Sequence, residues 1–384
     1  MIDNTIICHS FPAWDTPYVK STIELMTRLT KENRVIFVDY HYTLKDLFTN
    51  KYAPKKRLLG LKSRWRNIKT DTGLIEVYTA PPVLPTNWIN NQVLLNLVTH
   101  VNRFILKGAV KSVMRNVGHT EATMINAFNP AFGLLTKKYW KVKQSLYYCY
   151  DEISGTSWAG KYGPTYETQY AKEVDGIICT SSHLKQQKAK LNPNCHLVPN
   201  GVNLDIFQAQ APNKNTNQAI GYVGAIDNRI DFELIQALAK DMDNYDFHFY
   251  GPVKTTLPSM PANVHFHGAI PQEHLPLKVN KLDACLIPFV KNELTAAIYP
   301  LKINEYLALG KPVISTDFAD LSDFTKLISV GKDSAAFIDQ IKKELLYNNR
   351  LKAQKRIKFA KGNSWDHRAA EFNLLIRQTN LAYS

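Results

Sequence analysis

Cysteine is scarce and scattered in this chain of 384 residues. Its five cysteines (Cys8, Cys149, Cys179, Cys195, Cys285) form no CxxC pair, and most fall inside apolar, strand-like runs. Buried free thiols in a reducing compartment are therefore expected, rather than a disulfide framework or a metal site. No stretch reaches the roughly 18 uninterrupted apolar residues of a membrane span. Asp3 and Asn4 precede only a short apolar run, so the opening does not read as a signal peptide. A cytoplasmic chain is the expectation. Acid is also in short supply, with 33 Asp and Glu against 47 Lys and Arg, a formal charge of +14. That surplus implies an acidic partner: nucleic acid, an anionic membrane surface or phosphorylated ligands. Composition alone does not choose among the three.

The length exceeds one typical core, so two domains are expected, and 45% hydrophobic residues suffice to bury both. An apolar run over 5–11 reads as a buried strand. Thr16-Pro17 reads as an N-cap and first helical residue, with Val19, Ile23, Met26 and Leu29 following at helical spacing. A second strand over 34–40 completes a βαβ opening, which implies a parallel, doubly wound sheet. Further strands are expected over 74–80, 122–128, 145–150, 176–181 and 195–198. That makes about seven in all. A long helical pattern over 88–117 suggests one helix, or two broken near Gly108. Parallel sheets bind ligands beyond the carboxyl ends of their strands, so the loops after His9, Tyr40, Phe128 and Tyr150 lie on the functional edge.

Between Lys51 and Lys69 eight basic residues occur with no acidic one, interleaved with Leu58, Leu59, Leu61, Trp65 and Ile68. Such a mixture suits an interfacial amphipathic segment on anionic lipid. A solvated, mobile loop is the plainer alternative. Nucleic-acid binding is not expected, because no recognised nucleic-acid module surrounds the segment.

Residues 199–207 read as a domain boundary, followed by a polar stretch over 208–218 that resembles a linker. A second βα series then begins. Its strands are expected over 219–224, 246–250, 264–266, 284–287 and 312–316, with helices over 232–242, 275–282 and 300–309. Helical tails over 335–346, 350–360 and 366–381 follow, with Ser364 as a cap for the last. The expected architecture is two adjacent doubly wound domains facing across a cleft.

Within this second series, Ile298 to Ser315 reads as loop, short helix, turn and buried strand. Pro300 suits the first helical position, Gly310 the left-handed residue after the helix, and Pro312 stops it continuing. A sharply started helix leaves unpaired N–H groups at a partly positive end, a natural seat for a phosphate. Lys302 and Glu305 share one helix face: Lys302 can meet a diphosphate, and Glu305 can accept from a ribose diol. The plainer alternative is an i,i+3 ion pair on an ordinary surface helix.

Four stretches together resemble the GT-B-fold glycosyltransferases, specifically the large retaining family of bacterial polysaccharide and glycolipid synthesis. They are Val198-Pro-Asn-Gly-Val-Asn-Leu-Asp-Ile-Phe207, Ile220-Gly-Tyr-Val-Gly-Ala-Ile-Asp-Asn-Arg-Ile-Asp231, Asn263-Val-His-Phe-His-Gly-Ala-Ile270 and Pro300 to Ser315. Four in register are more specific than any one alone. In the N-terminal half, Pro12-Ala-Trp-Asp15 and Tyr150-Asp-Glu152 resemble a branch that includes teichuronic acid glycosyltransferases. The resemblance implies an α/β GT-B fold with an acceptor-side Rossmann-like domain over 1–203. A nucleotide-sugar-binding Rossmann-like domain would span 204–364, and a helix over 365–384 would cross back to the first. It implies a transferase of hexosyltransferase type, moving a sugar from a UDP- or GDP-linked donor to a lipid-linked or cell-surface polysaccharide acceptor, with retention. The enzyme would be cytoplasmic and peripheral on the inner face of the plasma membrane.

The resemblance places Gly224, Arg229, Ile270, Tyr299, Pro300, Leu301, Lys302 and Glu305 on the donor, with Arg229 and Lys302 catalytic. Charge building on the departing diphosphate is what those cations would stabilise. The plainer reading of Arg229 is a partner of Asp227 or Asp231. On the acceptor side His9, Trp14, Asp15, Asp151 and Glu152 sit at strand ends, each also readable as a cap or structural polar group. No cofactor or metal is expected, since no Asp-x-Asp triad is present. Two departures stand out: the position seven intervening residues before Glu305 is Ala297 rather than the usual Glu, with Glu293 the nearest acid. The first loop also carries Trp14 where many relatives are Gly-rich. The alternatives are a sugar-nucleotide epimerase of the same fold and a catalytically degenerate binding protein.

Overall fold

The computed structural model describes residues 4–16, 20–118, 121–155, 159, 161–209 and 217–381. The chain divides into two compact units: one of Met1–Pro199 with Arg368–Ser384, the other of Asn200–His367.

The first unit holds eight strands: β1 (Asn4–Ser10), β2 (Asn33–Val38), β3 (Trp65–Lys69), β4 (Leu74–Tyr78), β5 (Ala122–Ala127), β6 (Gln144–Cys149), β7 (Gly176–Cys179) and β8 (Cys195–Leu197). They are ordered β3-β4-β2-β1-β5-β6-β7-β8. All neighbours are parallel except the antiparallel edge pair β3/β4. The order reverses between β1 and β5, so the switch point, where doubly wound sheets bind ligands, lies beyond Ser10 and Ala127. Its helices are α1 (Ser21–Leu29), α2 (Asp46–Thr49), α3 (Lys55–Leu58), α4 (Gln92–Val117), α5 (Pro130–Thr136), α6 (Gly163–Glu173) and α7 (Ser182–Lys188).

The second unit holds β9 (Ala219–Val223), β10 (Asp246–Tyr250), β11 (Val264–Phe266), β12 (Ala284–Ile287), β13 (Val313–Thr316) and β14 (Ser329–Gly331). All are parallel, in the order β11-β10-β9-β12-β13-β14. This is the 3-2-1-4-5-6 arrangement of dinucleotide-binding sheets, with its switch point between β9 and β12. Its helices are α8 (Phe232–Asp241), α9 (Leu275–Asn280), α10 (Glu293–Ala296), α11 (Leu301–Ala308), α12 (Ser334–Tyr347) and α13 (Arg350–Gly362). A last helix, α14 (Trp365–Leu381), begins in this unit and ends in the first.

Several expectations need correcting. The first sheet has eight strands rather than seven, because Trp65–Lys69 pairs in register with Leu74–Tyr78. The basic stretch 51–69 is therefore neither one amphipathic segment nor a free loop: Lys55–Leu58 is a short helix, Trp65–Lys69 is an edge strand, and Leu58 is buried. The pattern over 88–117 is a single 26-residue helix. It passes through Gly108, where a Cβ would meet nothing. α1 starts at Ser21 after an extended Lys20, so Thr16 is not its cap; Pro17 and Val19 lie outside the described residues. Pro300 is the N-cap of α11 rather than its first residue (φ −78°, ψ 87°). Most of the suggested linker also falls outside the described residues.

Candidate donor and acceptor sites

In the second unit the polar groups gather where β9 and β12 separate. β12 pairs with β9 only through Ala284–Ile220 and Cys285–Gly221, which leaves the end of β9 open on that side. Tyr306 of α11 fills the gap, its hydroxyl accepting from Val223 N at 2.7 Å. A buried amide is thereby satisfied, and α11 is fixed to the strand. Gly310 ends the helix with φ +72°, and Lys311 N closes back onto Tyr306 O at 3.0 Å.

The loop after β9 turns tightly. At Gly224 a Cβ would lie 2.2 Å from the Tyr222 hydroxyl, and at Gly251 one would lie 1.7 Å from Gly224 O. Only glycine allows these main chains to meet. Three residues on, Asp227 grips Arg229 through two hydrogen bonds, Nε–Oδ1 2.8 Å and Nη2–Oδ2 2.7 Å. The guanidinium lies 5.6 Å from the centre of the Phe289 ring, within range of a cation–π contact. The Asp227 carboxyl is held below the usual range by its bonds to Arg229, against the opposing effect of burial. Asp231 is not a partner of Arg229: it caps α8, accepting from Leu234 N at 2.9 Å.

On α11, Lys302 Nζ donates to Glu305 Oε2 at 2.7 Å, and Glu305 is 2% exposed. Burial pushes the Tyr222 phenol well up, and the charges it feels are those of Arg229, Asp227 and Glu305. The Phe289 ring lies 5.9 Å from that of Tyr222, so Arg229 and Tyr222 meet on the same aromatic side chain. Each cation has a carboxylate partner, as the plainer readings expected, but α11 is not an ordinary surface helix, since Ile303 to Ala308 are all buried.

The other donor-side positions divide. Tyr299 is buried, its ring on Phe324 (5.5 Å) and its hydroxyl 3.4 Å from Asn304 Nδ2, so it faces the core. Ile270 packs partly buried against the same core. Leu301 opens α11 and is half-buried. Ala297 is wholly buried at the end of α10, a helical turn that a reciprocal Asn292/Thr295 cap holds in place. Glu293 is exposed in its first turn.

In the first unit, Trp14 N donates to Asp39 Oδ1 at 2.8 Å, and the Trp14 ring stands edge-on to Phe37. Arg66 of β3 holds Asp15 (Nη2–Oδ2 2.7 Å) and lies 3.7 Å from Asp39 Oδ2. Asp39 is fully buried, and burial pushes its carboxyl up to about 6. Sequence reading missed both Asp39 and Arg66 as site residues. Glu152 accepts from Ser154 N and Oγ (3.1 and 2.9 Å), while its other oxygen has no hydrogen-bond partner among the described residues. Asp151 accepts from Glu152 N at 2.9 Å. His9 is a correction. Its side chain is buried, 2.6 Å from His41 Nε2 and beside Trp140. Desolvation lowers it to about 4, so it is placed to fill the interior rather than to meet a hydroxyl. Among the described residues no group of three His, Cys, Asp or Glu is arranged to hold a metal ion.

Residues 217–346 match the family described as glycosyl transferases group 1. Over 225 residues, 51% of this chain, it is 30% identical to a protein named for teichuronic acid biosynthesis, the glycosyltransferase TuaH of Bacillus subtilis (strain 168). The chain spans about half, 56%, of that relative's length. Among solved structures, sucrose-phosphate synthase from Thermosynechococcus elongatus superposes with a TM-score of 0.71 at 16% identity, covering 100% of both chains. HepE of Anabaena, solved with UDP and glucose, gives 0.66 at 11% identity, covering 98% of this chain and 100% of that one. The fold is GT-B, two Rossmann-like α/β domains. The segment that matches the group 1 glycosyl transferases is the one that carries Gly224, Arg229, Lys302 and Glu305.

Proposed function

We propose that the chain transfers a hexose from a nucleotide-sugar donor to a lipid-linked or cell-surface polysaccharide acceptor, with retention and without a metal ion. The observation that carries this reading is the pair of cation–carboxylate contacts beside the β9/β12 switch point, Arg229 with Asp227 and Lys302 with the buried Glu305. The UDP and glucose in the HepE structure support a nucleotide-sugar as the ligand, and the name of TuaH supports a polysaccharide product. Stretch 51–69, with its unbalanced positive charge, supports an anionic membrane near the acceptor.

In this reading Glu305 accepts hydrogen bonds from the ribose diol. Arg229 and Lys302 then exchange Asp227 and Glu305 for the oxygens of the diphosphate. As the sugar–phosphate bond breaks, negative charge grows on those oxygens, and cations already aimed there lower the barrier most. The departing phosphate takes the proton of the acceptor hydroxyl, so no side chain need serve as base. Asp15, Trp14, Asp151 and Glu152 orient the acceptor.

Radiolabelled UDP-, GDP- and dTDP-sugars provide the test. Slow hydrolysis of at least one is expected without acceptor, and absence of both binding and turnover for all three removes the proposal. Glu305→Ala should weaken nucleotide binding roughly 10- to 100-fold, the range for lost hydrogen bonds to a charged group. An unchanged affinity would favour the degenerate binding protein. No finding favours the epimerase.

A further inference from the structure

Unit 1 leaves an apolar stripe uncovered on a helix that carries no acid. α4 contains Arg103, Lys107, Lys111 and Arg115 but neither Asp nor Glu. At 100° per residue, Val93, Leu94, Leu97, Val101 and Phe104 fall within one arc of about 100°. All are exposed, Val93 at 79%, Leu97 at 63% and Phe104 at 78%. Lys111 and Arg115 continue the same arc toward the carboxyl end. An ordinary helix of a doubly wound domain turns its apolar residues inward, as α4 itself does with Leu95, Leu106, Val110 and Val113. The outer stripe is additional. Uncovered apolar surface of this kind marks an interaction face.

Contacts link α4 to the basic stretch. Asn102 clasps the main chain of Leu84, Leu84 N to Oδ1 2.8 Å and Nδ2 to Leu84 O 2.9 Å. The adjoining Val83 bridges to Thr43, with Leu44 N donating to Val83 O at 2.9 Å. α2 follows directly, and its Phe48 is 85% exposed. The acid there, Asp46, is turned inward to hold Thr43 N and Oγ1, both at 2.7 Å. Farther along, the Trp65 ring lies 4.8 Å from that of Tyr78, and both pack in one core with Val110, Val113 and Met114 of α4, which joins α4 to the end of the stretch holding Leu59, Leu61, Lys55, Lys56 and Lys62. Exposed apolar side chains thus share these linked elements with lysine and arginine.

We infer that this face of unit 1 seats on an anionic lipid bilayer. Phe104, Leu97, Val93 and Phe48 enter the headgroup layer, and the surrounding cations pair with lipid phosphates. A second copy of the chain is the other natural cover for an apolar stripe, but a symmetric pairing would bring lysine and arginine against their own kind. The inference rests on the membrane-acceptor reading above and names the surface that reading lacks: 51–69 supplies charge, whereas α4 supplies insertion.

The full-length chain is mixed with vesicles of phosphatidylcholine containing 30% phosphatidylglycerol, or of phosphatidylcholine alone, and sedimented. At least tenfold stronger binding to the anionic vesicles is expected. The double variant Leu97→Glu/Phe104→Glu should lose at least tenfold of it, as should 0.5 M NaCl, with the melting temperature unchanged. The surface-neutral Phe104→Ala should lose a smaller part, and serves if the double variant folds poorly. Equal binding by wild type and variants, or none to anionic vesicles, overturns the inference. So does a dimer in sedimentation velocity that the variants dissociate. Hydrolysis of nucleotide sugar is measured on the same preparations. Failed docking with intact hydrolysis removes the membrane face alone, and failed hydrolysis with intact docking removes the transferase reading alone.

Discussion

The two sheets present their charged groups in different ways. At the edge of the second sheet the pairs are local: Arg229 with Asp227 two residues away, Lys302 with Glu305 three away. At the edge of the first they span the sequence: Trp14 and Asp39, Arg66 and Asp15, His9 and His41. Arg229 and Asp227 are also partly exposed, whereas Asp39, His9 and His41 are buried. Local, partly exposed pairs stabilise a fold by well under about 1 kcal/mol, so the exchange of Asp227 for a phosphate that the proposed function asks of Arg229 would cost little. Buried pairs drawn from distant strands hold the domain itself.

The contrast can be broken by substitution. Arg229→Ala should lower kcat on the donor roughly 100-fold if the guanidinium meets the diphosphate. Arg229→Lys should recover only part, because a point charge cannot reproduce the planar fork. Steady-state kinetics with each variant would check this, and an unchanged kcat in Arg229→Ala would place Arg229 in a purely structural pair. Tyr306→Phe tests the other side of the comparison, a buried bond within the donor unit. Leaving Val223 N unsatisfied should cost roughly 1–3 kcal/mol by chemical denaturation.

The smallest effect is one of pH. His9 is lowered by burial to about 4 in the folded chain, against an ordinary value near 6.5. The unfolded chain therefore takes up the proton first. The stabilisation from keeping His9 neutral is complete above about pH 6.5 and is lost as pH falls toward 4, at most roughly 3 kcal/mol. Asp39 opposes it: raised to about 6, it favours the folded state below about pH 4 and loses that contribution as pH rises. Denaturation midpoints between pH 4 and 7 should show a shallower fall on acidification in His9→Met than in wild type.

Sequence carried the second unit more fully than the first. β10, β11 and β12 fall where their apolar runs begin and end, and Gly310 adopts the left-handed turn that its place after a helix requires. These signals are local. β3 was hidden because an edge strand with one face in solvent can carry Arg66 and Lys69 as readily as a loop. β14 is three residues long and leaves no periodicity to read. Pro300 differs by one position because its ψ of 87° keeps it outside the helix. At the proposed sites, Arg229 and Glu305 stand in stretches that a motif singles out. Asp39 does not, since its environment is made by Trp14 and Arg66, 25 residues before it and 27 after.

The last helix has a practical consequence for anyone dividing this protein. Phe372 stacks edge-on to Tyr148, and Asn373 bonds both Asn33 and Glu32. A fragment stopped at Pro199 would keep every strand of its sheet yet uncover that tyrosine and remove one of the two acceptors of the Asn33 amide. Such a half should express poorly unless the final residues are supplied in trans, as a peptide.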